Sequence, residues 1–455
     1  MHAVFGSLRS QLCDDQARAG TQLVRRTQAH AETPEPNWWT AVIPRMNMDS
    51  SNIADRSNAD TSLTGPGSYP LDLTGPSSHT LMRTLGAGSL VIAAPGSAGK
   101  SDLQVAPDQK INWAAFAPFA TPAGSPWPRV IHYAGSDLGI FEWARQRPIE
   151  QLTWTPVLHT DTLVDASRSN IRTLAIQLDL PGANLQLLMP AQEIAANLHL
   201  SISGDIGRFS AQGQLPRSLS LAPETGSRRE TSAFQLPDMG ELHEVHELML
   251  VNKPMGRPIS LKCLSRFTQL QSLSLYGNFV DLEALAEQPQ LQNLQLRYMP
   301  SLEGLPVLSC WPALDGFIAF NIEEAAGKRL RQQLKARTPQ RPWTKHASVS
   351  QLRKESWWES EFGRPFSAWS KRLAKQANEA FDGALAALAS SHSLADAEAA
   401  FSEFARRFNA LKGIETTERD DLGEAIWQLS SSEHAVRIGV TEELAQQWFD
   451  AVRDY

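Results

Sequence analysis

The sequence predicts an α/β protein in which a solenoid of irregular, short strands is preceded by a poorly ordered N-terminal extension and followed by an all-α C-terminal domain. The pattern LxxLxLxxN occupies residues 270–278 and returns at residues 291–299 with Met in place of Asn. Weaker copies of its first six positions flank these two, so that the pattern recurs every 21 to 29 residues. From residue 367 onward the apolar residues recur instead at helical spacing. The repeat period and the change to helical spacing together give the fold class.

Residues 1–78 are predicted to be an N-terminal extension that is largely a disordered linker. Residues 47–78 consist mainly of Ser, Asn, Asp, Thr, Gly and Pro, and they offer almost nothing to bury. One short helix is expected before them, over residues 11–28. The next segment, residues 79–170, is rich in Pro and Trp with short strand-like pieces. We expect it to be an irregular, strand-rich region that leads into the solenoid.

The predicted solenoid spans residues 171–336. One short strand and a returning segment form each coil of such a fold, and a single coil cannot bury its apolar face, so neighbouring coils must stack and share a core. A helix predicted over residues 323–336 closes the exposed end of that core. The fourth positions of the seven copies, which are expected to point into the core, are Leu174, Leu198, Leu219, Leu248, Leu273, Leu294 and Phe317.

This repeat resembles the leucine-rich repeat over roughly residues 171–322. The resemblance implies a stacked solenoid with a continuous sheet on its concave side. In such repeats the consensus Asn holds the turn by side-chain hydrogen bonds to backbone, and here only Asn278 stands at that position. The other turns are therefore expected to be looser and uneven.

The C-terminal part is predicted to be a connector over residues 337–366 and a helical domain over residues 367–455. Each of its predicted helices begins with Ser or Thr, and Ser393 and Thr417 each open an acidic capping box. Apolar residues at helical spacing in the second helix indicate a core stripe. The four helices are predicted over residues 367–389, 393–411, 417–429 and 441–452.

The repeats combine with a C-terminal signature. It comprises "LRKESW" at residues 352–357, "RPF" at residues 364–366, and Phe408-Asn409 followed by "IETTERD" at residues 414–420. The whole arrangement resembles a group of uncharacterised bacterial proteins commonly labelled "gliding motility protein". No catalytic residues are known for that group, so the resemblance implies none here.

A second motif, "APGSAGKS" at residues 94–101, follows a predicted strand and matches a phosphate loop in which Ala replaces the first Gly. Gly99, Lys100 and Ser101 would then bind phosphate and Mg²⁺. A working loop needs a helix directly after it, and Pro107 opposes one. We favour a Gly/Ser turn between strands, with no cofactor, and keep a P-loop nucleotide-binding protein as an alternative.

Composition and spacing argue against several other classes of function. The net charge of −7 argues against nucleic-acid binding, and no stretch approaches the roughly 20 apolar residues that span a membrane. The three Cys lack CxxC spacing and are expected to be reduced core thiols. His243 and His246 would point to opposite faces of a strand, so no metal site is expected. The sequence predicts a cytoplasmic protein that is not an enzyme.

The remaining candidate site is the concave sheet, which the third, fifth and seventh positions of the repeats line. The seventh positions set Tyr276, Arg297 and Phe320 side by side, and Tyr and Arg are enriched at interface hot spots. We predict a scaffold or adaptor that binds a protein partner here. The alternative is an immunity protein that neutralises a toxin through the same face. The predicted binding residues are Glu247, Met249, Ser272, Ser274, Tyr276, Asn293, Gln295, Arg297 and Phe320.

Overall fold

The computed structural model of the chain describes residues 63–454, with gaps at residues 85, 87, 98–99 and 412–415. The described residues fall into two compact units, one ending at Arg353 and the other beginning at Lys354. The helix predicted over residues 11–28 lies outside the described residues, as does most of the predicted linker.

The first unit is built on parallel strands. In chain order its strands are β1 (Gly67–Leu71), β2 (His79–Arg83), β3 (Ser89–Ala93), β4 (Leu103–Gln104), β5 (Val130–Gly135), β6 (Ile149–Pro156), β7 (Thr162–Asp165), β8 (Ile171–Leu178), β9 (Leu185–Leu188), β10 (His199–Gly204), β11 (Phe209–Gln212), β12 (Ser218–Pro223), β13 (Glu247–Val251), β14 (Ile259–Ser260), β15 (Ser272–Tyr276), β16 (Phe279–Val280), β17 (Asn293–Met299), β18 (Gly316–Glu323) and β19 (Ala347–Arg353). Its α-helices are α1 (Gly139–Gln146), α2 (Gln192–Ala195) and α3 (Glu324–Arg337).

Twelve of these strands form one sheet in the order β4-β3-β5-β6-β8-β10-β12-β13-β15-β17-β18-β19. All of its neighbours are parallel, and from β5 onward each strand pairs with the next sheet strand along the chain. Within the described residues, β7, β9 and β11 form a second parallel sheet, β14 pairs with β16, and β1 pairs with β2 as an antiparallel hairpin. Parallel neighbours require a connection that returns to the start of each strand.

A single row of apolar residues crosses the long sheet and points into the core. Alternation along each strand places every second side chain on this side, as in β15, where Leu273 and Leu275 are buried between half-buried serines. The row runs in register through Leu90, Ile131, Leu152, Leu174, Leu200, Leu219, Leu248, Leu273, Leu294 and Phe317. Six of the seven predicted fourth positions stand in it.

The exception is the second copy of the repeat, where the predicted alignment on Leu198 is wrong. Leu200 pairs with Leu174 on one side and Leu219 on the other. The short helix α2 ends at Ala195, and the turn that follows it takes up the next residues, with the Leu198 N–H donating to the Ala195 carbonyl at 2.9 Å. The strand therefore begins two residues later than the pattern suggests.

Two segments form more regular structure than the sequence predicts. Residues 63–78, assigned to the linker, include β1, and Leu71 and Leu73 are buried there. Part of the predicted connector is β19, which pairs in parallel with β18. Both segments carry few apolar residues, so their capacity to pack was underestimated. Residues 79–170 contribute β3, β4, β5 and β6 to the long sheet.

The connections on the core side are mostly 3₁₀ turns. One 3₁₀ helix covers Leu282–Glu287, and another covers Leu261–Arg266. The predicted terminal helix is α3, within one residue of the expected bounds. Of the described cysteines, Cys263 is buried as expected, whereas Cys310 is exposed because it ends a surface 3₁₀ turn.

The second unit contains α4 (Glu355–Phe362), α5 (Lys371–Ala389), α6 (Leu394–Asn409), α7 (Thr416–Ser430), α8 (Glu433–Arg437) and α9 (Glu442–Asp450). The four predicted helices are present as α5, α6, α7 and α9, and the shorter α4 and α8 were not predicted. The aromatic stripe of α6 is buried in this unit's own core at Phe401, Phe404 and Phe408. Among the described residues, no helix is both long enough and apolar enough to cross a bilayer.

The capping box at the start of α6 is present. The Ser393 hydroxyl accepts a hydrogen bond from the Asp396 N–H at 3.2 Å, and the Asp396 carboxylate accepts one from the His392 N–H at 2.9 Å. The side chains that would form the box predicted at Thr417 are not among those described.

Candidate functional site

The candidate site is the side of β13, β15, β17 and β18 that points away from the core, which we call the outer face. Its positions pair in three rows across the strands, because the register places equivalent repeat positions side by side. The rows are Glu247, Ser272, Asn293 and Gly316; Met249, Ser274, Gln295 and Ile318; and Val251, Tyr276, Arg297 and Phe320.

The register places all nine predicted binding residues on this face. Tyr276, Arg297 and Phe320 are direct neighbours, as the repeat alignment predicts. Seven of the nine are half-buried, which leaves part of each side chain accessible. The two exceptions are Tyr276, with 3% of its surface exposed, and Phe320, with 8%. These two rings therefore offer little surface to a partner, although both lie in the predicted row.

Tyr298 explains why the two rings are buried. Its φ of +53° interrupts the alternation at the end of β17. Its ring stacks on Tyr276 with centroids 4.8 Å apart and contacts Phe320 edge-on at 5.8 Å. The three rings form a small aromatic cluster. The sequence carried one signal of this geometry, since Gly277 stands at the same repeat position one strand earlier and has φ +105°.

Arg297 lies beside this cluster and is half-buried as a residue. Its Nε lies 3.3 Å from the Gln295 Oε1, and its Cζ lies 6.0 Å from the centre of the Phe320 ring. Burial lowers the pKa of Arg297, with the opposing influence of Tyr298 and Tyr276 smaller. Among the described residues, no carboxylate forms an ion pair with it.

A groove of about 580 Å³ adjoins the outer face where β12, β13, β15 and β17 begin. Glu247, Ser272 and Asn293 belong both to the outer face and to this groove. The other polar groups around it are mostly amides and charges of both signs, including Gln214, Arg217, Glu244, His246, Gln271, Gln292 and Lys345. The predicted residues at the third repeat positions therefore open onto a polar groove.

Side-chain amides hold the turns next to the site. The Asn278 Nδ2 donates to the Gly256 carbonyl at 2.8 Å, which is the role expected of the consensus Asn. Asn252 is a second such residue that the repeat alignment missed, because it stands one position before the consensus place. Its Nδ2 donates to the carbonyls of Asn278 and Arg257 at 2.7 and 2.9 Å, and the residue is 4% exposed.

The same side of the neighbouring strands β6, β8 and β10 carries small polar residues that are buried, namely Thr153, Gln177, Ser201 and Ser203. The Thr155 hydroxyl donates to the Gln177 Oε1 at 2.7 Å. Sequence reasoning did not single out these residues, and their only signal is a Ser or Thr at alternate positions of the strands.

The phosphate-loop alternative finds a different geometry. Ser97 N–H donates to the Ala94 carbonyl at 3.2 Å, closing a turn after β3, and the next element is the parallel strand β4. No helix occurs between these strands in the described residues, which exclude Gly99. Lys100 is exposed and Ser101 is half-buried. Without a helix N-terminus the segment lacks the usual phosphate-binding geometry.

Metal binding has no candidate in the described part of the chain, where no group of three or more His, Cys, Asp or Glu side chains is placed to hold an ion. His243 lies in a 3₁₀ helix, Gly240–Glu244, whereas His246 precedes β13. Comparison with protein-family models, with curated proteins and with solved structures gives no match. The residues of the outer face are therefore the features of this chain that indicate a function.

Proposed function

We propose that residues 171–336 form a leucine-rich-repeat-like solenoid and that its outer face, on the concave side, binds a protein partner. The protein would act as a non-enzymatic scaffold or adaptor in the cytoplasm. The strict chain order of the strands from β8 to β18 and the in-register row of leucines support the solenoid. The turn held by Asn278 also supports it, as does the resemblance of the repeats to the bacterial group named above.

One observation carries the binding proposal, namely the low charge of the partly accessible outer face. Along β5 to β18 of the long sheet, the three rows on this side contain only two charged side chains, Glu247 and Arg297. Met249 and Ile318 lie among hydroxyls and amides in the middle row. Depletion of charge together with Met and Arg is typical of the centre of a protein interface.

A photo-cross-linking residue at Ser274 tests the proposal. Ser274 is half-buried in the middle row, so a cross-linker there would face a bound partner without replacing a core residue. Ser309, an exposed position in a 3₁₀ turn of the same unit, is the matched control. We expect one discrete cross-linked partner from position 274 in native cells, absent from position 309, and lost when Gln295→Arg blocks the neighbouring position. Identical products from both positions would contradict the proposal.

A further inference from the structure

Arg297 is the strongest single recognition feature of the outer face. It is the only cation in the three rows from β13 to β18, and the only other charge there is Glu247. By strand spacing and rise per residue the two side chains start about 16 Å apart, which is too far for an ion pair. Within these rows the positive charge therefore stands near the aromatic cluster and the negative charge at the rim of the groove, whose lining also includes Arg217 and Lys345.

The surroundings of Arg297 leave its charge uncompensated. The Gln295 amide and the Phe320 ring are its contacts among the described residues, and both are neutral. Removing part of a guanidinium from water is costly unless an anion or several acceptors replace the water. A neutral amide at 3.3 Å meets one of five N–H donors. The remaining donors include two parallel N–H groups, whose fork matches a carboxylate.

We propose that Arg297 is a carboxylate-binding site and that its ligand is an Asp or Glu side chain of the protein partner. The inference depends on the proposed function, because it names the chemistry of the partner on the same face. A polyanion such as nucleic acid is not favoured, since a single Arg beside Glu247 on a chain of net charge −7 gives no track for repeated phosphates. An isolated carboxylate on an otherwise neutral surface fits one Arg.

The aromatic cluster makes this site more than an exposed charge. Phe320 neighbours Arg297 on β18, and Tyr276 neighbours it on β15. Both rings are buried and contact the ring of Tyr298. A carboxylate arriving here would be partly shielded from water by these rings and by the partner itself. Charge-assisted hydrogen bonds are strongest under such shielding.

The first test uses the full chain with ¹⁵N-labelled arginine and follows the Nε–Hε signals by NMR. The signal of Arg297 is assigned as the one absent from Arg297→Lys. The probe is N-acetyl-aspartate N-methylamide, and the matched control is its asparagine analogue, which is neutral and nearly the same size. We expect the Arg297 signal to shift saturably with the Asp probe. The dissociation constant for the Asn analogue should be about tenfold higher. No shift, or equal shifts with both probes, would overturn the inference.

The second test separates this inference from the proposed function. Arg297→Gln and Arg297→Lys are introduced into the chain that carries the cross-linker at Ser274. We expect the partner's cross-linking to fall about tenfold with Gln and to fall in part with Lys, which keeps the charge but not the fork. If the partner still cross-links fully from position 274 in the Gln variant, the carboxylate site is wrong while the proposed function stands. If position 274 yields no specific partner in the unmodified chain, the proposed function itself fails.

Discussion

Tyr276 illustrates how a residue can stand in the predicted place and have a different role. The repeat alignment puts its Cα in the row with Arg297, but its ring is buried and stacked on Tyr298. Alternation along a strand predicts on which side of the sheet a side chain lies, but it does not predict how deeply that side chain is buried. The left-handed φ at Tyr298 that brings the second ring over is not visible in the strand pattern, and its one signal in the sequence is Gly277 at the same repeat position one strand earlier.

We therefore expect Tyr276→Ala to act on stability before it acts on binding. Loss of a buried, stacked ring should lower the free energy of unfolding by about 3 kcal/mol. Ser274→Ala, at a half-buried position of the same strand, should change it by less than about 0.5 kcal/mol. Urea denaturation of both variants measures the difference. Equal and small effects would mean that the aromatic cluster is not packed as described here.

The two described cysteines give a second prediction at this scale. Cys263 is buried, and burial raises its pKa to about 11, with the opposing effect of Arg266 smaller. Only the thiolate reacts with alkylating agents, so Cys263 should react slowly in the folded protein at pH 8. Cys310 is exposed and should be alkylated first. Peptide mapping after a short treatment with N-ethylmaleimide distinguishes them, and rapid labelling of Cys263 in the native protein would contradict its burial.

At the scale of the elements, the turns depend on a few side-chain amides. Asn252 links the turns that follow β13 and β15, because it donates to the Asn278 and Arg257 carbonyls and its Oδ1 accepts from the Lys253 N–H at 2.8 Å. Gly277, beside it, is required by close approach, since a Cβ there would lie 2.1 Å from the Asn252 carbonyl oxygen. A side chain at position 277 would therefore clash with the backbone of Asn252, and the turn depends on both residues.

We expect Asn252→Ala to lower the free energy of unfolding by about 2 to 3 kcal/mol, because it leaves buried backbone groups without their partners. Asn278→Ala removes a single described bond to backbone, the one to Gly256, and should cost about 1 kcal/mol. Asn293→Ala, at a half-buried outer-face position, is the matched control and should be nearly neutral. Equilibrium unfolding in urea orders the three variants. An Asn278 variant that is less stable than the Asn252 variant would contradict the bridging role of Asn252.

The individual strands differ in how well the sequence predicts them. Strands with the full leucine pattern, β15 and β17, align in the register expected from their sequence, because two buried leucines and a short period fix the pairing. The copy near Leu198 is shifted by two residues, since the turn after α2 uses the residues that the pattern assigns to the start of the strand. Strand β19 and the hairpin containing β1 were missed because pairing to existing strands stabilises them more than their own apolar content does.

At the scale of the whole molecule, one continuous core spans the first unit and a separate core fills the second. The change from strand to helix periodicity near residue 367 indicates that the chain has two units. The boundary itself lies earlier, at residue 353, because β19 still belongs to the first unit. The candidate site was predictable to the level of rows and neighbours, since register follows from sequence. Burial of Tyr276, and the lack of a carboxylate at Arg297 among the described residues, are three-dimensional properties.

The first unit also carries a pH dependence that concerns the whole chain. His132 and His199 lie half-buried on the side of the sheet away from the core, and burial lowers the pKa of both, with Arg217 and Arg172 adding to the effect at His199. The unfolded chain binds protons at these sites near pH 6.5, whereas the folded chain resists them until lower pH. Their contribution to stability is therefore complete above pH 6.5 and is lost as pH falls towards the folded-state pKa values.

We expect the urea midpoint to fall between pH 7 and pH 5, and to fall less in His132→Gln/His199→Gln. The reduced slope is the decisive quantity, because carboxylates also titrate at the acid end, and an unchanged slope would show that these histidines are not held neutral by burial.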